Sequence, residues 1–147
     1  MSLAFDIAPV IERLRLQVPA LRQVAGAAEL ASAIESGKGA QTPSAFVVLA
    51  TEQGNPPLGL SSQFVQHVEV AVTVMLCVRN YARAALGAAA GADLAPILTA
   101  TRAALLAWCP DGADDVFELA SGRVDDFDAG TLWWQDVYRT RYRVLIT

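Results

Sequence analysis

The sequence is poor in the residues that build metal centres, disulfide frameworks and nucleic-acid surfaces. It holds one histidine and two cysteines in 147 residues, and 15 acidic residues outnumber 11 basic ones, for a net charge of −4. One histidine excludes zinc sites that need several, and two cysteines are too few for a disulfide scaffold. The acidic balance argues against a broad electrostatic grip on nucleic acid. We therefore expect no metal site and no sequence-specific nucleic-acid binding.

Long apolar runs are also missing. Hydrophobic residues make up 54% of the chain, but alanine supplies much of that share, and no run approaches the roughly 20 residues of a membrane span. The N-terminus mixes Asp6 and Glu12 with apolar residues and lacks the basic start of a signal peptide. We expect no membrane segment, a cytoplasmic location, and one domain spanning residues 1–147.

One stretch organises what is present. From Gln66 to Arg79 the even positions are apolar without a break, whereas the odd positions begin polar and turn apolar; the even positions are Val68, Val70, Val72, Val74, Leu76 and Val78. This period of two predicts a long strand in the middle of a sheet, buried along one whole face.

Other segments predict strands to flank it. Trp133 to Thr147 alternates cleanly and is the natural partner of the organising strand. Ser44 to Thr51 is a continuous apolar run and predicts a neighbour that is buried on both faces. Shorter strands are expected at Leu21–Ala25 and Val116–Arg123.

Helical spacing predicts two main helices and a short one. The first is capped by Ser2 and ends at Pro19; the other main helix is capped by Asp93 and ends at Pro110. A short helix is expected between them, at residues 27–37, with Leu30, Ala31 and Ile34 in its apolar stripe and Gly37 as its C-terminal cap. The fold class is therefore α+β, with an antiparallel or mixed sheet and two main α-helices packed on it.

Catalytic motifs fail when they are tested one at a time. Gly37-Lys38 lacks the upstream glycine of a phosphate loop, and Ser61 lacks the second glycine of a nucleophile elbow. His67 and Cys77 lie on one face of a strand but roughly 33 Å apart. The acids around Asp126 do not keep the spacing of a calcium loop. We expect both cysteines to be buried thiols, no cofactor and no enzymatic activity.

Three packing motifs carry a resemblance to a known family. They are Pro43-Ser44-Ala45, the run Leu105 to Pro110 (LLAWCP) and the segment Trp134 to Tyr142. Together with the order of helices and strands, they resemble the tail terminator proteins of long-tailed bacteriophages and their prophage relatives. The Ala/Gly-rich connector, Ala84 to Ala92, departs from the family's pattern.

The resemblance implies a structural protein without catalytic residues. Its copies would form a homo-oligomer, a hexameric ring that caps the tail tube, ends the tube's polymerisation and offers a surface to the head-completion or connector protein. The implied partners are further copies of the chain, the tail tube protein and that connector. The implied location is the virion tail, with the host bacterial cytoplasm as the place of assembly.

Two surfaces are candidates for those contacts. The loop from Glu52 to Gln63 is rich in Gly, Pro and Ser, so we expect it at the surface, where it would make the axial contact; its candidates are Glu52, Asn55, Leu58 and Leu60. Three arginines on one strand face would meet acids of a neighbouring copy; these candidates are Arg139, Arg141 and Arg143, with Asp125, Asp126 and Asp128. The competing interpretation is a solvated loop and a solvated strand face.

Two other functions stay open at this point. A different phage head–tail connector or tail-completion component would share the ring habit but bind another surface. A small-molecule enzyme or binding domain would rest only on apolar pockets lined by Trp108, Trp133 or Trp134.

Overall fold

A computed structural model describes residues 3–36, 41–59, 62–79, 88–128 and 130–147, without the side chains of 36, 88–92 and 128. Three helices and five strands follow one another along the chain: α1 (Ala8–Gln17), β1 (Gln23–Ala25), α2 (Ala27–Ser36), β2 (Ser44–Gly54), β3 (Phe64–Arg79), α3 (Ala88–Leu105), β4 (Glu118–Asp128) and β5 (Thr131–Ile146). The strands form one sheet in the order β1-β2-β3-β5-β4. β1 and β2 are parallel and every other pair is antiparallel, which confirms an α+β fold with a mixed sheet.

The organising strand lies at the centre of that sheet. β3 pairs with β5 along its whole length, from Phe64 opposite Ile146 to Arg79 opposite Thr131. Its even-numbered side chains from Val68 to Val78 are all buried. We call the side of the sheet that carries them the first face. The second face carries the odd-numbered positions of β3, from His67 to Cys77.

The helices cover the two faces unequally. α1 and α3 pack on the first face, where Leu14 and Leu105 join the valines of β3 in the main core. α2 packs on one end of the second face, where Ala33 meets Phe46 and Met75 in a smaller cluster. Burial of apolar area is worth about 25 cal/mol per Å², so the first face supplies most of the stability.

Several element boundaries differ from the sequence predictions. α1 begins at Ala8, where the Asp6 carboxylate accepts a hydrogen bond from the Ala8 backbone N–H, and not near Ser2, which lies outside the described residues. α3 begins at Ala88, so Asp93 does not cap it and Pro96 lies within it. Alanine has the highest helix propensity, which explains why the helix extends into the Ala-rich connector.

The strand boundaries also extend further. β2 continues to Gly54, and it is exposed from Leu49 onward, so only its first half is buried on both faces. β4 starts at Glu118 and continues through the acids to Asp128. In α2 the boundaries are confirmed but Ile34 is exposed, because the helix packs through Ala33 and Leu30. The proposed cap Gly37 and residues 84–87 of the connector lie outside the described residues.

Candidate functional site: protein-contact surfaces

The three candidate arginines lie on the second face of β5, on the same side as His67 and Glu69 of β3. Arg139 Nη1 lies 3.6 Å from Glu118 Oε1, and Arg141 Nε lies 3.1 Å from Asp115 Oδ2. The first pair is exposed and the second is partly exposed, so each contributes little to stability. Two of the three arginines therefore have acidic partners within their own chain.

Arg143 differs from the other two. It is exposed, its cross-strand neighbour is His67, and the described part of the chain offers it no ion pair. β4 begins opposite Arg139, so no β4 residue lies beside Arg143. Of the predicted basic contact residues, Arg143 is thus the one whose charge remains for a partner.

The candidate acids lie at the opposite end of the sheet edge. Asp126 is opposite Trp133 on β5, and Asp125 occupies a bulge in β4, with its Oδ1 3.8 Å from Arg123 Nη2. Trp133 and Arg139 are separated by roughly 20 Å along β5, at about 3.3 Å per residue. The fold therefore keeps these acids apart from the three candidate arginines of the same chain. Asp128 ends β4, and its side chain is outside the description.

The candidate loop proves to be partly a strand. Glu52 belongs to β2, opposite Val70, and its Oε1 accepts a 3.4 Å hydrogen bond from the backbone N–H of Phe5. This corrects the prediction that the loop begins at Glu52. The bulge at residues 49–51 shifts the register and lets β2 continue in this way.

Beyond Gly54 the chain still follows β3. The Asn55 N–H donates to the His67 carbonyl at 2.8 Å, and the Asn55 carbonyl accepts a 2.9 Å bond from the Gln66 side-chain amide. The Leu58 N–H donates to the Val65 carbonyl at 2.8 Å, and the Leu58 side chain is 49% exposed. These bonds hold an apolar side chain in solvent at the end of the sheet. Leu60 lies outside the described residues.

Sequence reasoning missed a buried polar network on the first face. The carboxylate of Asp136 is fully buried and accepts four hydrogen bonds: from Nε and Nη2 of Arg102 (2.8 Å each), from the indole N–H of Trp134 (2.8 Å) and from the hydroxyl of Tyr138 (2.9 Å). The available signal was the position of an aspartate on the inward-facing side of an alternating strand. Such a residue requires donors, since an unpaired buried charge is very costly.

This network shifts the ionisation of its members. Burial opposes the charge on Asp136, but the hydrogen bonds from Arg102, Trp134 and Tyr138 outweigh burial and lower the pKa of the carboxyl. Burial and the nearby Asp136 charge raise the pKa of Tyr138. Asp136 is therefore ionised and Tyr138 neutral at neutral pH, and the network joins α3 to β5 through a charged pair.

The sulfur and imidazole groups do not assemble into a reactive site. Burial raises the pKa of Cys77 to about 11, so its thiolate is scarce at neutral pH. Cys109 is exposed and lies just after α3. This corrects the prediction that both thiols are buried. Within the described residues no cluster of His, Cys, Asp and Glu could hold a metal ion.

Trp108 is held by contacts with α1 and with the residue that precedes β4. Its ring lies 6.1 Å from that of Phe117, and the Arg13 guanidinium lies 4.8 Å above it. The same arginine donates to the Ala104 carbonyl at 2.7 Å, which ties α1 to the end of α3. Trp108 is therefore a packing residue.

No helix in the described ranges combines the length and apolar character needed to cross a membrane.

Comparison with known proteins gives one family match. The sequence model of the family described as phage tail terminator protein matches residues 1–146, nearly the whole chain. No curated protein matches the chain.

Proposed function

The chain belongs to the phage tail terminator protein family, and from that premise we propose that it caps the tail tube as a ring and so ends the tube's growth. Members of the family are structural proteins of phage tails, and this chain has a structural role in tail assembly that involves contact with other tail components. The match over residues 1–146 is the observation that carries the proposal. The ring, the cap and the head-attachment surface are the proposed refinements, with the virion tail as the location and the host cytoplasm as the place of assembly.

The geometry supports a contact protein better than a catalyst. Among the described residues, α2 covers one end of the second face of the sheet, and the remaining part carries Arg143 and other polar side chains in solvent. Residues 55–58 are fixed to β3 by backbone hydrogen bonds and present Leu58 outward. A rigid, partly apolar projection suits docking, because little conformational entropy is lost when it binds.

We assign the axial contact with the tube to the projection around Asn55 and Leu58. Leu60 and Glu52 remain part of that proposal, although Glu52 is already engaged with the backbone of Phe5. For the contact between neighbouring copies we retain Arg143 with Asp125 and Asp126. Arg139, Arg141 and Asp128 belong to the same proposal as secondary residues.

A capping assay tests the function directly. Tube protein from the same phage is polymerised with and without the chain, and tube lengths are measured by negative-stain electron microscopy. We expect short tubes with density at one end in the presence of the wild-type chain, and longer, uncapped tubes with Leu58→Asp. Leu16→Asp, on a 71% exposed position in the last turn of α1 and outside the projection, is the control and should cap normally. Tubes that grow to the same length with and without the wild-type chain would refute the proposal.

A further inference from the structure

Two groups of exposed apolar side chains lie on the first face but outside the core. The edge stripe consists of Leu119, Val124 and Phe127 on β4, each 37% to 51% exposed. Their cross-strand partners Tyr138, Trp134 and Leu132 belong to the core, so the stripe extends the core beyond the helices that cover it. β4 is the edge strand, and no described residue pairs with its outer side.

The second group lies where β3 and β5 project at the far end of the sheet. This strand-end patch consists of the cross-strand pair Phe64 and Ile146, which are 41% and 49% exposed, with the half-buried Val144 beside them. Apolar side chains that are rigidly held and grouped in solvent mark contact surfaces.

The charges beside the two groups are opposite. On the second face, next to the stripe, Asp126 has no ion pair within the described residues, while Arg123 partly offsets the neighbouring Asp125. On the second face near the patch lies the exposed Arg143, beside His67. At the next cross-strand pair, Glu69 lies opposite Arg141, whose ion pair is with Asp115. Within the described residues, each surface therefore has apolar groups on the first face and a charged side chain without an ion pair on the second, Asp126 at the stripe and Arg143 at the patch.

One chain cannot bring these surfaces together. Leu132, opposite Phe127, lies roughly 46 Å from Ile146 along β5, at about 3.3 Å per residue. A surface that complements the stripe, apolar and with the opposite charge beside it, is therefore supplied by the patch on another copy of the same chain. Because stripe and patch differ, their contact is head to tail, and such contacts generate rings when the rotation per subunit closes.

We infer that the edge stripe of one copy packs on the strand-end patch of the next, with Asp126 facing Arg143 across the contact. The inference rests on the proposed function, since a ring requires self-association, and it specifies which surfaces meet. Apolar packing supplies the affinity, and the charge pair sets the orientation of the two copies.

Complementation between two variants tests the head-to-tail arrangement. Val124→Glu disables the stripe and Ile146→Glu disables the patch, while Leu16→Glu, on a 71% exposed position outside both surfaces, is the control. By native mass spectrometry and sedimentation, we expect each of the two variants to self-associate about tenfold or more weakly than wild type. A mixture of the two should form a discrete one-to-one dimer, because only one intact stripe and one intact patch remain. Circular dichroism verifies that each variant is folded.

A charge exchange tests the pairing. Asp126→Arg and Arg143→Asp should each weaken association, and the double variant should recover it. Arg22→Asp is the matched control, because Arg22 is exposed and lies outside both surfaces, and it should associate like wild type.

Three results would overturn the inference: a wild-type chain that is monomeric at every concentration tested, an Ile146→Glu chain that assembles like wild type, or a mixture that stays monomeric. Capping of tubes by a chain that does not self-associate would refute this contact and the ring, and would leave the capping of tubes in place. Conversely, if the two variants complement each other but the wild-type chain does not cap tubes, the contact between copies is supported and the proposed function is refuted.

Discussion

At the scale of single residues, the most consequential group is the carboxylate of Asp136. Four donors converge on it, and it lies at the meeting point of α3, β4 and β5. Its neighbour Arg102 is 30% exposed at its side chain, so the pair is buried from one side only. Removing one partner leaves the other charge without compensation, which is the costly case for a buried ion pair.

We predict that Asp136→Asn lowers the free energy of unfolding by about 3 kcal/mol, because it leaves Arg102 without a counter-charge. Urea denaturation followed by tryptophan fluorescence measures the change. The matched control is Asp126→Asn on the exposed edge, which should alter stability by less than about 0.5 kcal/mol. Equal effects at the two positions would show that the network does not stabilise the fold.

The same carboxylate predicts a dependence on pH. Its pKa is lowered in the folded chain, whereas in the unfolded chain it titrates near its ordinary 3.8. The stabilisation is therefore complete above 3.8 and is lost as the pH falls through the lower folded-state pKa. The difference in unfolding free energy between wild type and Asp136→Asn should narrow in that acidic range. A difference that stays constant throughout that acidic range would contradict this assignment.

The two cysteines should differ in reactivity. Cys109 is exposed, while Cys77 is fully buried with its pKa raised to about 11 by burial. Since the thiolate is the reactive form, we predict that a thiol reagent at neutral pH modifies one cysteine in the native chain and both in denaturant. Cys109→Ser should abolish the native reaction. Two equally fast thiols in the native wild type would be inconsistent with this packing.

At the scale of elements, β4 depends on a glycine for its place beside β5. A methyl group at Gly122 would lie 2.7 Å from Arg102 Nη2 and from Asp136 Oδ1, and 3.0 Å from Trp134 Cζ2. The strand thus lies close enough to cover the buried network only because it has no side chain there. This close approach also places Val124 and the rest of the edge stripe beside the core.

We predict that Gly122→Ala destabilises the chain by about 1 to 3 kcal/mol, the usual cost of overpacking. Hydrogen exchange should show the loss of protection concentrated in β4 and its partner positions on β5. Gly59→Ala is the control, because no heavy atom of the described residues, its chain neighbours aside, lies within 4 Å of the added carbon. The stability of this variant should be nearly unchanged. Uniform loss of protection over all strands would point to a different cause.

At the scale of the whole molecule, the main core joins α1, α3 and every strand of the sheet except β4, so the described elements are expected to unfold together. We predict one cooperative transition, as a single domain over residues 1–147 requires. Far-UV circular dichroism and tryptophan fluorescence should give the same midpoint in urea. Two separate midpoints would indicate two independent units.

Much of this architecture follows from alternation in the sequence. The apolar even positions from Val68 to Val78 predict both the central strand and its buried face, and the alternation from Trp133 onward predicts its partner. The short helix α2, from Ala27 to Ser36, also lies where the helical spacing predicts it. Boundaries were less accurate: the cap at Asp93 is wrong, because alanine propagates a helix without a distinctive periodic signal.

The sequence by itself determined the type of fold, the central strand pair and the absence of a catalytic motif, because these depend on periodicity and residue chemistry along the chain. Only the tertiary structure decided that Arg139 and Arg141 have acidic partners in the same chain, while Arg143 has none among the residues that the structure describes, and that Glu52 lies in a strand. It also decided that Arg102 reaches Asp136 across 34 residues of chain. Such pairings depend on strand register and on helix placement over the sheet, and a local pattern of residues contains neither.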